Sequence, residues 1–321
     1  MKVLWISDKG KGIGIAHRMV RQNDDVRFLT LSPSIGDSGK GLVEIVESWR
    51  PSLGWADLIV FDGHELSHMQ DRFEDLTDAH LFGISYIGSI MTKDKAKQEE
   101  LITKIAPDGV SMGKYVEWTS PRVYHGVVDD LGPFDRGMGP QSVIGGTTLL
   151  PIKHSPLKPF MPFFYSIGYN GPVTLENGSI RTGLEYPYMD AVCELMKGKI
   201  SDFMTGKDTR IKVYVSLCAT LFLMGDPERD KGKLIRHLDV NTEHCSLTNC
   251  YVNGTLETGG YHWAASDSEV VRVTASARTI PGARSLLRKR LKSFEADGLI
   301  YRLDVGASAL QELVDETWQT Q

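Results

Sequence analysis

The chain has 321 residues, 41% of them hydrophobic and 24% charged, with a formal net charge of −5. This is globular composition with ample core for two or three domains, and it carries no basic excess that would make nucleic acid the default partner. No apolar stretch reaches the ~18 residues of a membrane span, and the four cysteines, Cys193, Cys218, Cys245 and Cys250, are too few for a disulfide scaffold at this length.

In chain order, KVLWIS (2–7) predicts a buried strand rather than a secretory leader. It ends in the glycine-rich turn DKGKGIG, and a helix follows with Ile15, Met19 and Val20 on one side. VRFLTL (26–31) predicts a second strand, LVEIVESW (42–49) a helix, and ADLIVFD (56–62) a third strand. Strands that read as near-continuous apolar runs and alternate with helices imply a parallel sheet covered on both faces. A helix over 75–83, a short strand over 85–88 and a helix over 92–106 complete this unit. Residues 119–162, rich in Pro and Gly, break the pattern. Strands within 162–175 and 179–186, around the turn 176–178, predict an antiparallel hairpin, and a helix over 189–198 follows. The last region reads as strands over 212–224, 269–277 and 299–305 with a helix over 282–296. Its cationic run RSLLRKRLK (284–292) has helical spacing and reads as a solvated helix face.

Ligands of parallel α/β sheets sit at the carboxyl ends of the strands. Here that edge holds residues 7–14 and 62–65. Gly10, Gly12 and Gly14 give GxGxG, not the dinucleotide pattern GxGxxG, whose third glycine would fall on Ile15. Backbone N–H groups at a helix start, flanked by Lys9 and Lys11, suit a phosphate; a plain strand-to-helix turn is the alternative. FDGHELSH (61–68) brings Asp62, His64, Glu65 and His68 to the same edge. It reads as a loop at the mouth of a ligand cleft, and the metal alternative requires His64 and His68 to share a helix face. Cys245 and Cys250 lie near His244, but a zinc site needs a second ligand pair at tight spacing, so they read as reduced thiols of a cytoplasmic protein. DDLGPFDRGMGPQSV (129–143) has too much Gly and Pro for a helix or central strand. It sets Asp129, Asp130, Asp135 and Arg136 on pliant backbone, as a surface turn or as a loop wrapped on a ligand.

In order, MKVLWIS with its glycine-rich turn, ADLIVFDGHE, a Lys-rich helix and DDLGPFDRGMG resemble glycinamide ribonucleotide synthetase, the phosphoribosylamine–glycine ligase family of the ATP-grasp superfamily. That family carries GPNTGGMG where this chain has GPFDRGMG (132–139). Residues 269–306 resemble its closing strand, helix and YRRDIG ending, with Arg302 and Asp304 in the matching YRLDVG; a structural salt bridge is the plainer reading of that pair. Residues 183–203 resemble its Glu-Phe-Asn segment. The resemblance implies an α/β fold: an N-terminal parallel-sheet, pre-ATP-grasp-like domain (1–118), a reduced grasp core without the lid (119–210) and a C-terminal α+β domain (211–321). It implies substrate contacts from Lys9, Gly10, Lys11 and Gly12, from His64 and Glu65, and from Asp130, Gly132, Asp135, Arg136, Gly137 and Met138. ATP and Mg²⁺ are implied cofactors, with Lys95 matching an ATP lysine and Glu185 a magnesium ligand.

The chain also departs from the family. Thirteen residues separate Trp118 from Gly132, too few for a lid subdomain. Pro187 stands at the asparagine of Glu-Phe-Asn, and the RFGDPE signature is absent. Phosphorylating a carboxylate needs a metal and cations on the γ-phosphate. Three functions follow. The first is a ligase-like protein repurposed to act on a phosphorylated ribose or nucleotide and an amino acid such as glycine, without ATP-grasp chemistry. The second is the ATP-dependent ligase of purine synthesis, and the third a non-catalytic binder of a sugar phosphate or nucleotide.

Overall fold

A computed structural model describes residues 1–83, 86, 89, 94, 96, 97, 100, 124–125, 146–149, 173–176, 179–182, 188–195, 198–205, 215–238, 240, 243–253, 260–264, 268–294 and 298–307. β1 (Lys2–Ser7), β2 (Asp25–Thr30), β3 (Glu44–Ile45), β4 (Leu58–Phe61) and β5 (His80–Phe82) form a five-stranded parallel sheet in the order β3-β2-β1-β4-β5. Side chains alternate across a strand. Val3 and Trp5 therefore share one face with Val26, Phe28, Leu58, Val60 and Phe82, while Leu4 and Ile6 share the other with Leu29, Ile59 and Phe61. Helix α1 (Ile13–Arg21) covers the first face through Ile13, Ile15, Ala16 and Met19. Helix α2 (Ser67–Glu74) covers the second through Phe73.

A second, antiparallel sheet is built from β6 (Tyr124–His125), β7 (Gly146–Leu149), β10 (Val215–Leu223), β11 (Cys245–Leu247), β14 (Glu269–Ala277) and β15 (Leu299–Ile300), in the order β11-β14-β10-β7-β6 with β15 beside β10. Two small pairs accompany it: β8 (Val173–Glu176) with β9 (Ser179–Thr182), and β12 (Cys250–Val252) with β13 (Tyr261–Trp263). The helices here are α3 (Tyr188–Leu195), α4 (Ile200–Met204), α5 (Pro227–Asp230) and α6 (Ile280–Leu291). α6 starts at Thr279, whose hydroxyl accepts the Gly282 N–H at 3.3 Å, and it buries Ala283, Leu287 and Leu291. Arg288, Lys289 and Lys292 stay exposed, so the cationic run has the solvated face read from its spacing.

One apolar core joins the two sheets. Leu217, Leu221, Val271 and Val273 of the second sheet belong to the same cluster as α1 and the first face of the parallel sheet. The approach is closest at Gly14, where an added Cβ would lie 2.6 Å from the Leu247 carbonyl of β11. A backbone seam lies nearby: the Gly39 N–H donates to the Cys250 carbonyl at 2.8 Å, and the Val252 N–H to that of Lys40 at 2.9 Å. Among the described residues, no helix is long and apolar enough to cross a membrane.

The elements match the sequence reading in most places, with local exceptions. Residues 42–49 are not helical. Glu44–Ile45 pairs in parallel with Arg27 and Phe28 at the sheet edge, where β-branched Val43, Ile45 and Val46 sit more easily than in a helix. Residues 75–83 are not a helix either: the Ala79 N–H closes a turn onto the Thr77 hydroxyl at 3.1 Å, and His80–Phe82 extends the parallel sheet. The loop expected over 61–68 is short, because His64–Leu66 is a 3₁₀ turn leading into α2. Tyr86, expected in a strand, is helical. The last strand ends at Ile300, and Arg302 pairs with Asp304 beyond it, Nε to Oδ1 at 2.6 Å.

Gly14→Ala tests the inter-sheet contact. Alanine favours a helix over glycine by ~1 kcal/mol, yet the overlap with β11 should lower stability by about 2 kcal/mol. Gly54→Ala, at a position with open space around it, should be near neutral. Urea unfolding midpoints of the two variants check this.

Candidate functional site

In the order β3-β2-β1-β4-β5 the connections run one way from β1 and then the other, so the sheet has a topological switch point between β1 and β4. Clefts at the carboxyl end of such a point are where α/β sheets take their ligands. Two segments emerge there, the turn from Ser7 to Gly12 after β1 and residues Asp62 to Glu65 after β4.

The turn is held by a specific set of bonds. Gly10 adopts φ +71°, and its N–H donates to the Ser7 hydroxyl at 2.8 Å. The Asp62 carboxylate lies beneath the turn. It accepts the Trp5 indole N–H at 2.9 Å and the Asp8 N–H at 3.3 Å. An added Cβ on Gly12 would collide with both that carboxylate and the Trp5 ring. Trp5 is wholly buried and stacks on Phe28 with centroids 6.3 Å apart, so the base of the site is rigid. Asp62 thus receives neutral donors. Desolvation outweighs them and pushes its carboxyl from 3.8 up to about 6. Lys9 and Lys11 are exposed at the rim, as is Glu65.

Behind the turn lies a buried charge ladder. Arg272 of β14 is 1% exposed and pairs with Asp190 of α3 at 3.0 Å and with Glu269. Burial works against its charge, but Glu269 and then Asp190 hold the guanidinium firmly protonated. The same Nη1 donates to the Lys11 carbonyl at 3.5 Å. Further along, Glu194 of α3 accepts from Arg290 at 3.0 Å and from the Thr274 hydroxyl at 3.0 Å, and its Oε2 lies 3.2 Å from His244 Nδ1. Burial opposes the Glu194 charge, yet Arg290 and His244 bring its carboxyl below the usual range.

The structure brings Lys9, Gly10, Lys11, Gly12 and Glu65 to the switch point, with the backbone of His64 in the adjoining 3₁₀ turn. Lys95, Asp130, Gly132, Asp135, Arg136, Gly137, Met138 and Glu185 lie outside the described residues. The sequence signal for Asp62 was present, an acid closing the apolar run LIVF, but it pointed to the strand end and not to a carboxylate that organises the turn. Arg272 and Asp190 carried no local signal, since their pairing spans 82 residues. All four cysteines are free and buried, and burial pushes the Cys193 and Cys245 thiols up to about 12. Among the described residues, no group of three or more His, Cys, Asp or Glu side chains is placed to hold a metal ion.

No protein-family model matches the sequence, and no curated protein matches it. Solved structures share its fold. The phosphoribosylamine–glycine ligase of Thermotoga maritima is 12% identical, over 95% of this chain and 100% of its own, with a TM-score of 0.54. The biotin carboxylase domain of a single-chain bacterial carboxylase is 10% identical over 100% of both chains, with a TM-score of 0.54. The biotin carboxylase domain of a thermophilic 2-oxoglutarate carboxylase is 10% identical over 93% of this chain and 91% of its own, with a TM-score of 0.55. At such identities the likeness is one of fold. It establishes a mixed α/β architecture, with a five-stranded parallel sheet and an antiparallel sheet, shared with these ligase and carboxylase structures.

Two groups, the half-buried Asp62 and the buried His17, set opposite pH dependences on stability. Asp62 has a folded-state pKa raised to about 6 from 3.8, so its contribution is fully present below about 4 and is lost as pH rises through 6. His17 on α1 is lowered from 6.5 to about 4 by burial and then by Arg21, so its contribution is present above 6.5 and lost as pH falls toward 4. Between pH 4 and 6 the two slopes, each ~1.4 kcal/mol per unit at most, oppose one another. Asp62→Asn should unmask the His17 slope, making stability rise with pH across that window, and denaturant midpoints at pH 4.5, 5.5 and 6.5 read it directly.

Proposed function

We propose that this protein is a phosphoribosylamine–glycine ligase-like protein that takes a phosphorylated ribose or nucleotide at the glycine-rich turn and acts on it with an amino acid such as glycine. The observation that carries this reading is the turn at the switch point, with Lys9 and Lys11 at its rim and rigid buried support beneath it. Gly10 and Gly12 let the turn fold tightly onto Ile35, Trp5 and Asp62, and the exposed lysines at its rim neutralise a phosphate's charge. Asp62 holds the turn's shape from below. In this reading ATP-grasp chemistry is lost, and an already activated acceptor supplies the driving force that ATP would otherwise give. The buried free thiols suit a reducing, cytoplasmic setting.

A second reading, ATP-dependent joining of glycine to phosphoribosylamine, is favoured by the likeness to ligases and carboxylases along nearly the whole chain. ATP with Mg²⁺ would supply phosphorylation of a carboxylate there. The residues that the resemblance assigns to them, Lys95 and Glu185, lie outside the described residues.

Isothermal titration separates the readings. Ribose 5-phosphate should bind, and Lys9→Ala with Lys11→Ala should weaken it by tenfold or more, since a charge-assisted bond is worth about 1.5–3 kcal/mol. Micromolar binding of ATP–Mg²⁺ would shift the assignment to the second reading. Absence of binding by ribose phosphates and nucleotides sinks the first. Binding with no turnover in the presence of amino acids leaves a sugar-phosphate binder.

A further inference from the structure

We propose that Arg272 is a positioning residue for the glycine-rich turn, setting the orientation of the peptide plane between Lys11 and Gly12 and thereby the affinity of the turn for phosphate. The inference rests on the reading of the turn as a phosphate site. A trans peptide unit is planar, with its C=O and N–H pointing in opposite directions. In this one, both ends are gripped. The Lys11 carbonyl accepts from Arg272 Nη1 at 3.5 Å, and Gly12 is packed so closely on the Asp62 carboxylate that a Cβ there would lie 2.4 Å from its Oδ2. The two grips come from different sheets, Arg272 from β14 of the antiparallel sheet and Asp62 from the end of β4 in the parallel one.

The guanidinium is itself anchored. Asp190 at 3.0 Å and Glu269 hold it, and it is buried to within 1%. Its strand register reinforces the contact. Arg272 lies opposite Ser246 of β11, and Ser246 is the residue whose Cβ comes within 2.7 Å of a Cβ built on Gly14. The start of α1 is therefore pressed on β11 at one point and bonded to β14 at the next.

Lysine can keep the charge that Asp190 and Glu269 need, but its single ammonium cannot fork between them and the Lys11 carbonyl. Arg272→Lys should stay folded and bind ribose 5-phosphate about tenfold more weakly by isothermal titration. Arg290→Met removes a cation from the far end of the same ladder. It should lower the unfolding midpoint yet leave that affinity within twofold of wild type. In the wild-type protein, ribose 5-phosphate should shift the Arg272 Nε–Hε nuclear magnetic resonance and not that of Arg290, a readout that needs no variant to fold. Wild-type affinity in a folded Arg272→Lys, an equal loss in Arg290→Met, or an unmoved Arg272 resonance each overturns the positioning role alone. A wild-type protein that does not bind ribose 5-phosphate overturns the site reading and this inference together.

Discussion

A guanidinium removed from water must find its compensation inside the protein. Among the described residues Arg272 is the largest charged side chain in the fully buried core, and its surroundings are organised around that requirement. Asp190 comes from α3 and Glu269 from the start of β14, and both are needed because burial acts against the charge. Removing the guanidinium would leave the buried Asp190 carboxylate uncompensated, which typically costs about 3–5 kcal/mol. The position of α3 against the antiparallel sheet is therefore tied to the charge balance as well as to apolar contact. Glu194, one turn further along α3, repeats the arrangement with Arg290 and His244. Ionic and apolar constraints fix the same helix on the same sheet.

The parallel sheet solves the opposite problem with a different chemistry. Asp62 is an acid held by neutral donors, an indole and a backbone N–H. Such a set gives direction without cancelling charge, which is why desolvation still dominates its proton affinity. A salt bridge at that position would have consumed a cation at the base of the cleft. The neutral cradle leaves Lys9 and Lys11 at the rim, exposed to whatever the cleft takes. The switch point and the cradle coincide because β1 and β4 are neighbours, so their exit turns have to share space.

Much of this was legible from the residues. KVLWIS and LIVF are continuous apolar runs because both sheet faces are covered, and their alternating partition into two core layers follows from the period of a strand. The hairpin around residues 176–179 followed from its Asn-Gly turn, and the observed pairing places Glu176 opposite Ser179. The glycine-rich turn was recognisable as a site because backbone freedom and cations coincided there. Residues 42–49 were not legible. Their apolar spacing fits a helix about as well as an edge strand, and only pairing with Arg27 and Phe28 decides between them. Arg272 was invisible for a related reason. A charge in the middle of EVVRVTASA looks like an exposed position of an edge strand, whereas β14 has partners on both sides.

The shared core has a further consequence, for synthesis. The bond from Arg272 to the Lys11 backbone spans 261 positions, and the apolar face of α1 packs into the cluster that holds Val271 and Val273. A chain emerging from the ribosome at about 5–20 residues per second would present Ile13, Ile15 and Met19 for roughly 13 to 50 s before those strands exist to cover them. Closure of so long a loop is slow compared with local pairing. The parallel sheet can form early with one layer still open, and in that interval the nascent chain exposes a sticky surface of the kind that chaperones shield.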